Sequence, residues 1–348
     1  METLDELHQR QEKTLLAENN PLQLYPDSLD NLLARNFPPR EWLVEGLLPA
    51  QAVTILSGAS NSYKTWLMLQ MALSVTQGKQ LFNELETKPA NVLIVDEESQ
   101  PNGLYERFKQ LRVPSGLPVW WLSRRLYKIT DEGYLDSIIS RCAALDIKLV
   151  IFDSLTRMHS GEENSARDMS KIMEAFKTLT DFGTAVLIAH HTRKDVAGSY
   201  NPDNSMRGSS DILAAIDCHL SMKRTNPNST YVELRQTKNR FAEPIKPVRL
   251  RFAEVDGGRE LVVAEWLKTD DDRTDELKLA VLNIITAEQG VYKKLLMAKL
   301  AEQNVDIEER KLAAILKELV SENKITAKPG ERTKVHYYLS EISDAEKQ

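Results

Sequence analysis

From residue 37 onward, short unbroken apolar runs alternate with longer stretches whose apolar positions return every three or four residues. Ala52-Val53-Thr54-Ile55-Leu56, Asn91 to Asp96, Leu149-Val150-Ile151-Phe152 and Thr184 to Ala189 are runs of the first kind. Strands covered on both faces of a parallel sheet read this way. Between them, Trp66 to Val75, the set Tyr134, Leu135, Ile138, Ile139, Cys142 and Leu145, and the set Met169, Ile172, Phe176 and Leu179 follow helical spacing. The alternation predicts an α/β fold with a central, mostly parallel twisted sheet and helices on both sides. Past residue 216 the helices stop, and strands at Cys218–Met222, Tyr231–Gln236, Val248–Phe252 and Leu261–Trp266 predict an antiparallel extension of that sheet.

The two ends differ from this core. Residues 1 to about 20 read as a polar helix with Leu4, Leu7, Leu15 and Leu16 on its apolar side, either packing on this or a neighbouring subunit or fraying. The prolines of Phe37-Pro38-Pro39 oppose helix continuation, so 1–36 is taken as an N-terminal helical extension and 37–268 as the main domain. Lys268 to Asp275 contains Asp270, Asp271 and Asp272 and no apolar residue, which predicts an acidic linker over 269–274. Helices over 275–288, 292–303 and 308–322, then Ile325 to Gly330 and Val335 to Leu339, give 275–348 the pattern of a small winged-helix domain.

A chain of 348 residues has room for roughly two domains. With 42% hydrophobic and 28% charged residues its composition is that of a globular protein. No apolar run approaches the roughly 20 residues that span a bilayer, so no membrane partner is expected. The start, Met1-Glu2-Thr3-Leu4-Asp5, does not read as a secretory signal. Cys142 and Cys218 lie in apolar stretches without metal-like spacing and read as buried thiols of a cytoplasmic protein. A net charge of −6 argues against coating by nucleic acid and leaves room for a local basic channel.

The chemistry gathers where strands end. Gly58-Ala59-Ser60-Asn61-Ser62-Tyr63-Lys64-Thr65-Trp66 joins the first core strand to its helix, the arrangement that cradles nucleotide phosphates. Lys64 would reach the β- and γ-phosphates and the Thr65 hydroxyl would ligate Mg²⁺. Tyr63 stands where a glycine usually precedes the lysine, and a positive φ there would strain it. Asp153 closes the strand Leu149–Phe152 and is the candidate second Mg²⁺-side group, with helix capping as its bland alternative. Asp96-Glu97-Glu98 closes another strand, and one of these acids would orient and deprotonate water. His190-His191 ends a third, where a polar side chain can touch the γ-phosphate; a satisfied structural histidine is the alternative. Lys238-Asn239-Arg240 follows a strand and is either surface charge or a pair projecting into a neighbour's nucleotide site.

Taken together these segments resemble the RecA-like ATPases, within them an AAA-family group related to DnaB and KaiC, and most closely the plasmid RepA-type hexameric replicative helicases. The resemblance covers roughly residues 37 to 267. It rests on Phe152-Asp153-Ser154-Leu155-Thr156-Arg157-Met158-His159 with Glu162-Glu163-Asn164, on His190-His191-Thr192, on Arg207-Gly208-Ser209-Ser210 and on Lys238-Asn239-Arg240. It implies ATP and Mg²⁺ as cofactors, Glu98 as catalytic glutamate with Glu97 in reserve, and Arg207 and Arg240 as fingers acting on a neighbouring subunit. It also implies a homo-oligomer, a hexameric ring, with single-stranded DNA in its central channel gripped by loops 157–168 and 194–206. Tyr63 departs from the family pattern. For the tail, with Lys324, Lys328, Arg332 and Lys334 on its wing, duplex DNA and a protein partner both stand as candidates. Two functions follow: a DNA-translocating motor, or a regulatory or recombinase-like ATPase whose nucleotide state switches assembly.

Overall fold

The computed structural model describes residues 27–163, 165–192, 210–224, 226, 228–303, 305–330 and 334–340. It divides into two units, residues 1–40 and 41–348. In the first, the short helix α1 (Leu29–Ala34) is capped by the Ser28 hydroxyl, which accepts from the Asn31 N–H at 3.1 Å. The helix expected over 1–20 lies outside the described residues.

The second unit opens with a small hairpin, β1 (Trp42–Val44) and β2 (Leu48–Pro49). The alternating core follows as β3 (Val53–Gly58), α2 (Lys64–Gln77), β4 (Asn91–Asp96), α3 (Pro101–Gln110), β5 (Val119–Ser123), α4 (Tyr134–Ala144), β6 (Ile147–Asp153), α5 (Ala166–Asp181), β7 (Ala185–His191) and α6 (Ser210–Ala215). Four strands without helices come next: β8 (Cys218–Arg224), β9 (Tyr231–Asn239), β10 (Val248–Val255) and β11 (Gly258–Trp266).

These strands build one nine-stranded sheet in the order β11-β10-β9-β8-β3-β7-β6-β4-β5. The pairs from β8 through β5 are parallel and those from β8 to β11 antiparallel, as the apolar pattern predicts. Strand alternation sends two apolar sets to opposite faces. Leu56, Ile94, Ile151 and Leu187 pack with Leu67, Met68 and Met71 of α2, while Ile55, Val95, Val150 and Ile188 pack with Ile138 of α4, Phe176 of α5 and Ile212 of α6. On the first face, the buried Gln70 of α2 reaches the outer edge of β11. Its Nε2 donates to the Leu261 carbonyl at 2.9 Å and its Oε1 accepts from the Leu261 N–H at 3.0 Å.

The remainder is a three-helix, three-stranded unit: α7 (Asp270–Ala287), β12 (Val291–Tyr292), α8 (Lys293–Glu302), α9 (Glu309–Ser321), β13 (Ile325–Pro329) and β14 (Val335–Leu339). Its strands pair in the order β12-β14-β13 over a core that includes Val281, Ile285, Leu296, Leu300, Leu312 and Leu316. Here the acidic linker expected over 269–274 is corrected: Thr269 caps α7 and 270–274 are its first residues. The Thr269 hydroxyl accepts from the Asp272 N–H at 3.0 Å, and the Asp272 carboxylate accepts from the Thr269 N–H at 2.9 Å. Aspartates without apolar neighbours look like a spacer by composition, but the positive end of a helix dipole favours them in a first turn.

Candidate nucleotide site

Register brings the expected segments to one rim. Gly58 aligns with His191 across β3 and β7, Phe152 with Ile188 across β6 and β7, and Asp96 with Asp153 across β4 and β6. Parallel strands that end level deliver their following loops to the same side. Thr65, the second residue of α2, donates its hydroxyl to Asp153 Oδ2 at 2.7 Å.

The loop between β3 and α2 has the shape an anion needs. Asn61 and Tyr63 both have positive φ, 64° and 66°, and such reversals turn successive backbone N–H groups into a concave nest. Gly58 is obligatory, since a Cβ there would lie 2.5 Å from Ser62 Oγ and 2.7 Å from the Met222 carbonyl. Ser62 Oγ is buried and makes no hydrogen bond among the described residues. Lys64 Nζ folds back over the loop, donating to the carbonyls of Gly58 and Ala59 at 2.8 and 2.9 Å. Burial lowers its pKa, opposed by the carboxylates of Asp153 and Glu98.

Tyr63 is in the left-handed region, the conformation that would strain a tyrosine there, and its ring is engaged by two neighbours. Phe252 of β10 stacks on it with centroids 4.7 Å apart, and the Arg224 guanidinium lies 4.8 Å from its centroid on a cation–π contact. Trp66 packs against the same Phe252 at 4.8 Å. Arg224 also donates to the Asn61 carbonyl at 3.2 Å. A left-handed non-glycine costs about 1–3 kcal/mol. A stacked pair contributes about 0.5–1.5 kcal/mol and a cation over a ring about 0.5–1, so the cage offsets much of that strain. Sequence reasoning missed Arg224 and Phe252, although Arg224 ends a strand at this rim and fits the rule that selected Asp153.

The three consecutive acids do different things. Asp96 Oδ1 accepts from the N–H groups of Glu98 and Ser99 at 2.9 and 2.7 Å, while Asp96 Oδ2 is buried with no hydrogen bond among the described residues. Glu97 accepts from the N–H groups of Arg125 and Leu126 at 2.9 and 2.8 Å and so braces the next loop. Glu98 is the one left at the rim, with its side chain 44% exposed and 3.9 Å from His191 Nε2. His191 beside it, then Ser154 and Arg157, hold Glu98 down to about 2 against the effect of burial. Asp153 moves the other way: burial, then Asp96, push it up to about 6.

A buried carboxylate raised this far, beside an unpartnered carboxylate oxygen and a threonine hydroxyl, suits a divalent cation. Among the described residues no group of three or more His, Cys, Asp or Glu could hold a metal alone. Mg²⁺ keeps several waters and takes phosphate oxygens, so one or two carboxylates and a hydroxyl are the usual protein share of its shell.

The remaining candidates fall elsewhere. His190 is fully buried in register with Ser57, beneath the loop rather than on it, and His191 is the histidine that reaches the carboxylates. Lys238 and Arg240 stand at the opposite end of the sheet, where Asn239 pairs with Cys218, the first residue of β8. Lys238 Nζ donates to the Leu213 carbonyl at 2.7 Å and Arg240 Nη2 to the Ala214 carbonyl at 2.7 Å, both in α6. Arg207 and the whole of the loop 194–206 lie outside the described residues, as does Asn164. Both cysteines are free and buried, and among the described residues no helix is long and apolar enough to cross a membrane.

A family model described as an AAA domain, AAA_25, matches residues 18–197, just over half of the 348. The chain belongs to the AAA domain family. It is a P-loop ATPase, and the nine-stranded, mostly parallel sheet fits a RecA-like core. The matched region contains the phosphate loop, Glu98, Asp153 and His191, whereas β8 to β11 and the three-helix unit lie beyond it. The family implies nucleotide binding, usually with Mg²⁺.

Proposed function

We propose that this chain is an ATP-driven DNA motor, a hexameric helicase of the plasmid RepA type that translocates on single-stranded DNA. The observation that carries the hydrolytic part is the division of labour among Asp96, Glu97 and Glu98. Two are tied to backbone N–H groups and the third is left facing Lys64 and Asp153. In this reading the loop N–H groups and Lys64 bind and orient the phosphates, and Thr65 with Asp153 holds Mg²⁺, which supplies charge neutralisation of the triphosphate. Glu98 accepts a proton from the attacking water, and His191 restrains it until then. A carboxylate held near 2 is a weak base, so Glu98 gains basicity on leaving His191.

The motor part is supported by the placement of Lys238 and Arg240 at the sheet end opposite the phosphate loop. A head-to-tail ring needs one face to carry the nucleotide and the other to carry the cations that reach it. For the tail we take the winged-helix reading with duplex DNA as its partner, since its hairpin carries cations lying over aromatic rings. Lys334 Nζ is 4.1 Å from the Tyr292 centroid and Lys328 Nζ 5.1 Å from that of Tyr338.

The test is ATP-dependent displacement of an oligonucleotide from a forked duplex. The wild type unwinds and Lys64→Ala loses both ATPase and unwinding. ATPase with duplex binding but no displacement would establish the regulatory alternative. ATPase that survives Lys64→Ala would discard the site.

A further inference from the structure

Inside the sheet runs a line of polar side chains that the hydrolytic reading leaves unused. His219 of β8 is fully buried and bridges two strands. Its Nε2 is 2.8 Å from Ser57 Oγ on β3, and its Nδ1 is 2.5 Å from Thr237 Oγ1 on β9. Ser57 immediately precedes Gly58 of the phosphate loop and pairs in register with His190 of β7. Thr237 immediately precedes Lys238 and lies where β9 slips register: His219 faces Lys238, but the next residue, Leu220, faces Gln236. Such a bulge inserts an extra residue and re-aims a side chain, here toward the imidazole. Adjacent strands β3, β8 and β9 thus carry a hydrogen-bonded line, Ser57–His219–Thr237, from the residue before the phosphate loop to the residue before Lys238. At that corner both cations grip the last turn of α6.

Two properties set this file apart from a merely satisfied core histidine. Valine or isoleucine would fill these sheet positions without any hydrogen-bond requirement, and polar groups buried among strands cost stability unless all partners are kept. The imidazole is also neutral: burial, then His190 and Lys238, bring His219 down to about 4. A neutral ring donates from one nitrogen and accepts at the other, so its two ends cannot change independently. If the Ser57 hydroxyl turns from acceptor to donor, the tautomer and the Thr237 hydroxyl must reverse with it.

We propose that His219 is a positioning residue that couples the phosphate-loop end of β3 to the Lys238–Arg240 corner, so that nucleotide at the rim changes the grip of these cations on α6. The proposal rests on the assignment of the phosphate loop as the nucleotide site. It extends that assignment by making release of Lys238 and Arg240, the two cations proposed to reach a neighbour, depend on occupancy of the chain's own site.

Hydrogen exchange of the peptide 210–217, with and without a non-hydrolysable ATP analogue and Mg²⁺, tests it on the full chain. In the wild type the analogue changes exchange at the α6 end by about fivefold or more, the scale of an ordinary coupling. Thr237→Ser keeps the hydroxyl and the response. Thr237→Val keeps the shape, loses the hydroxyl, and loses the response while analogue affinity stays within about twofold of wild type. His219→Gln, which reaches the Nε2 position only, and His219→Asn, which reaches the Nδ1 position only, each lose the response too. Absence of analogue binding by the wild type would overturn the site assignment itself. Binding without an exchange response in the wild type, or a full response in Thr237→Val, would overturn the coupling alone.

Discussion

Replacing Asp153 by asparagine separates what the carboxylate costs the fold from what it gives the ligand. Burial and Asp96 raise this group from 3.8 to about 6, roughly two units. At about 1.4 kcal/mol per unit this is about 3 kcal/mol. The folded chain holds the proton more tightly than the unfolded one. Stability therefore falls as pH rises through the window from about 4 to 6, and the whole cost is present above it. Asparagine cannot ionise, yet it keeps an oxygen to accept from Thr65. At pH 7.5, without metal or nucleotide, Asp153→Asn is expected to unfold in urea with a free energy up to about 3 kcal/mol higher than wild type, and the gap closes toward pH 4.5. Adding Mg²⁺ and ATP reverses the order, because the cation relieves the wild-type carboxylate and finds less to bind in the variant. Urea unfolding at several pH values, with and without Mg²⁺ and ATP, measures both halves. An asparagine variant no more stable than wild type at pH 7.5, or a gap indifferent to pH, would refute this account of Asp153.

Further outcomes follow from single contacts. Glu98→Gln should retain nucleotide binding by fluorescence titration while hydrolysis drops by about 10²–10⁴. His191→Ala removes the largest influence holding Glu98 down, so the acid limb of the kcat/KM profile moves up toward 4.5; an unmoved limb would mean Glu98 is not the group titrating. Arg224→Ala loses both the Asn61 hydrogen bond and the cation over Tyr63, and Mg²⁺·ATP should bind about tenfold more weakly for a loss of about 1.4 kcal/mol. Thr269→Ala should destabilise the protein by about 1 kcal/mol, as loss of a helix cap does; a flexible linker at 269–274 would show no effect.

What the sequence revealed depended on how local the cause was. Strands β3, β4, β6 and β7 read as apolar runs because both of their faces are covered, and β4, β6 and β7 each end in the polar residue that marks the rim. Strand β5 escaped notice because its residues are only partly buried at the sheet edge, and α3 because Leu104 is its one buried side chain. Two-residue β12 carries no periodicity to read. Within the site, neighbours in sequence were legible as a cluster but not as individuals. Asp96, Glu97 and Glu98 look alike in a row, and only the backbone N–H groups that come to meet them divide their roles. Phe252 and His219 were invisible for a different reason: their partners in or next to the phosphate loop are more than 160 residues away along the chain.

The amide of Gln70 has a consequence for how copies of this protein can meet. An outermost strand with bare N–H and C=O groups invites another chain to continue the sheet. At Leu261 a side chain from α2 already occupies both groups, as a tenth strand would. Lateral growth through that border is therefore blocked at its middle. The helix whose first turn carries Lys64 and Thr65 is also fastened, two turns on, to the far margin of the sheet.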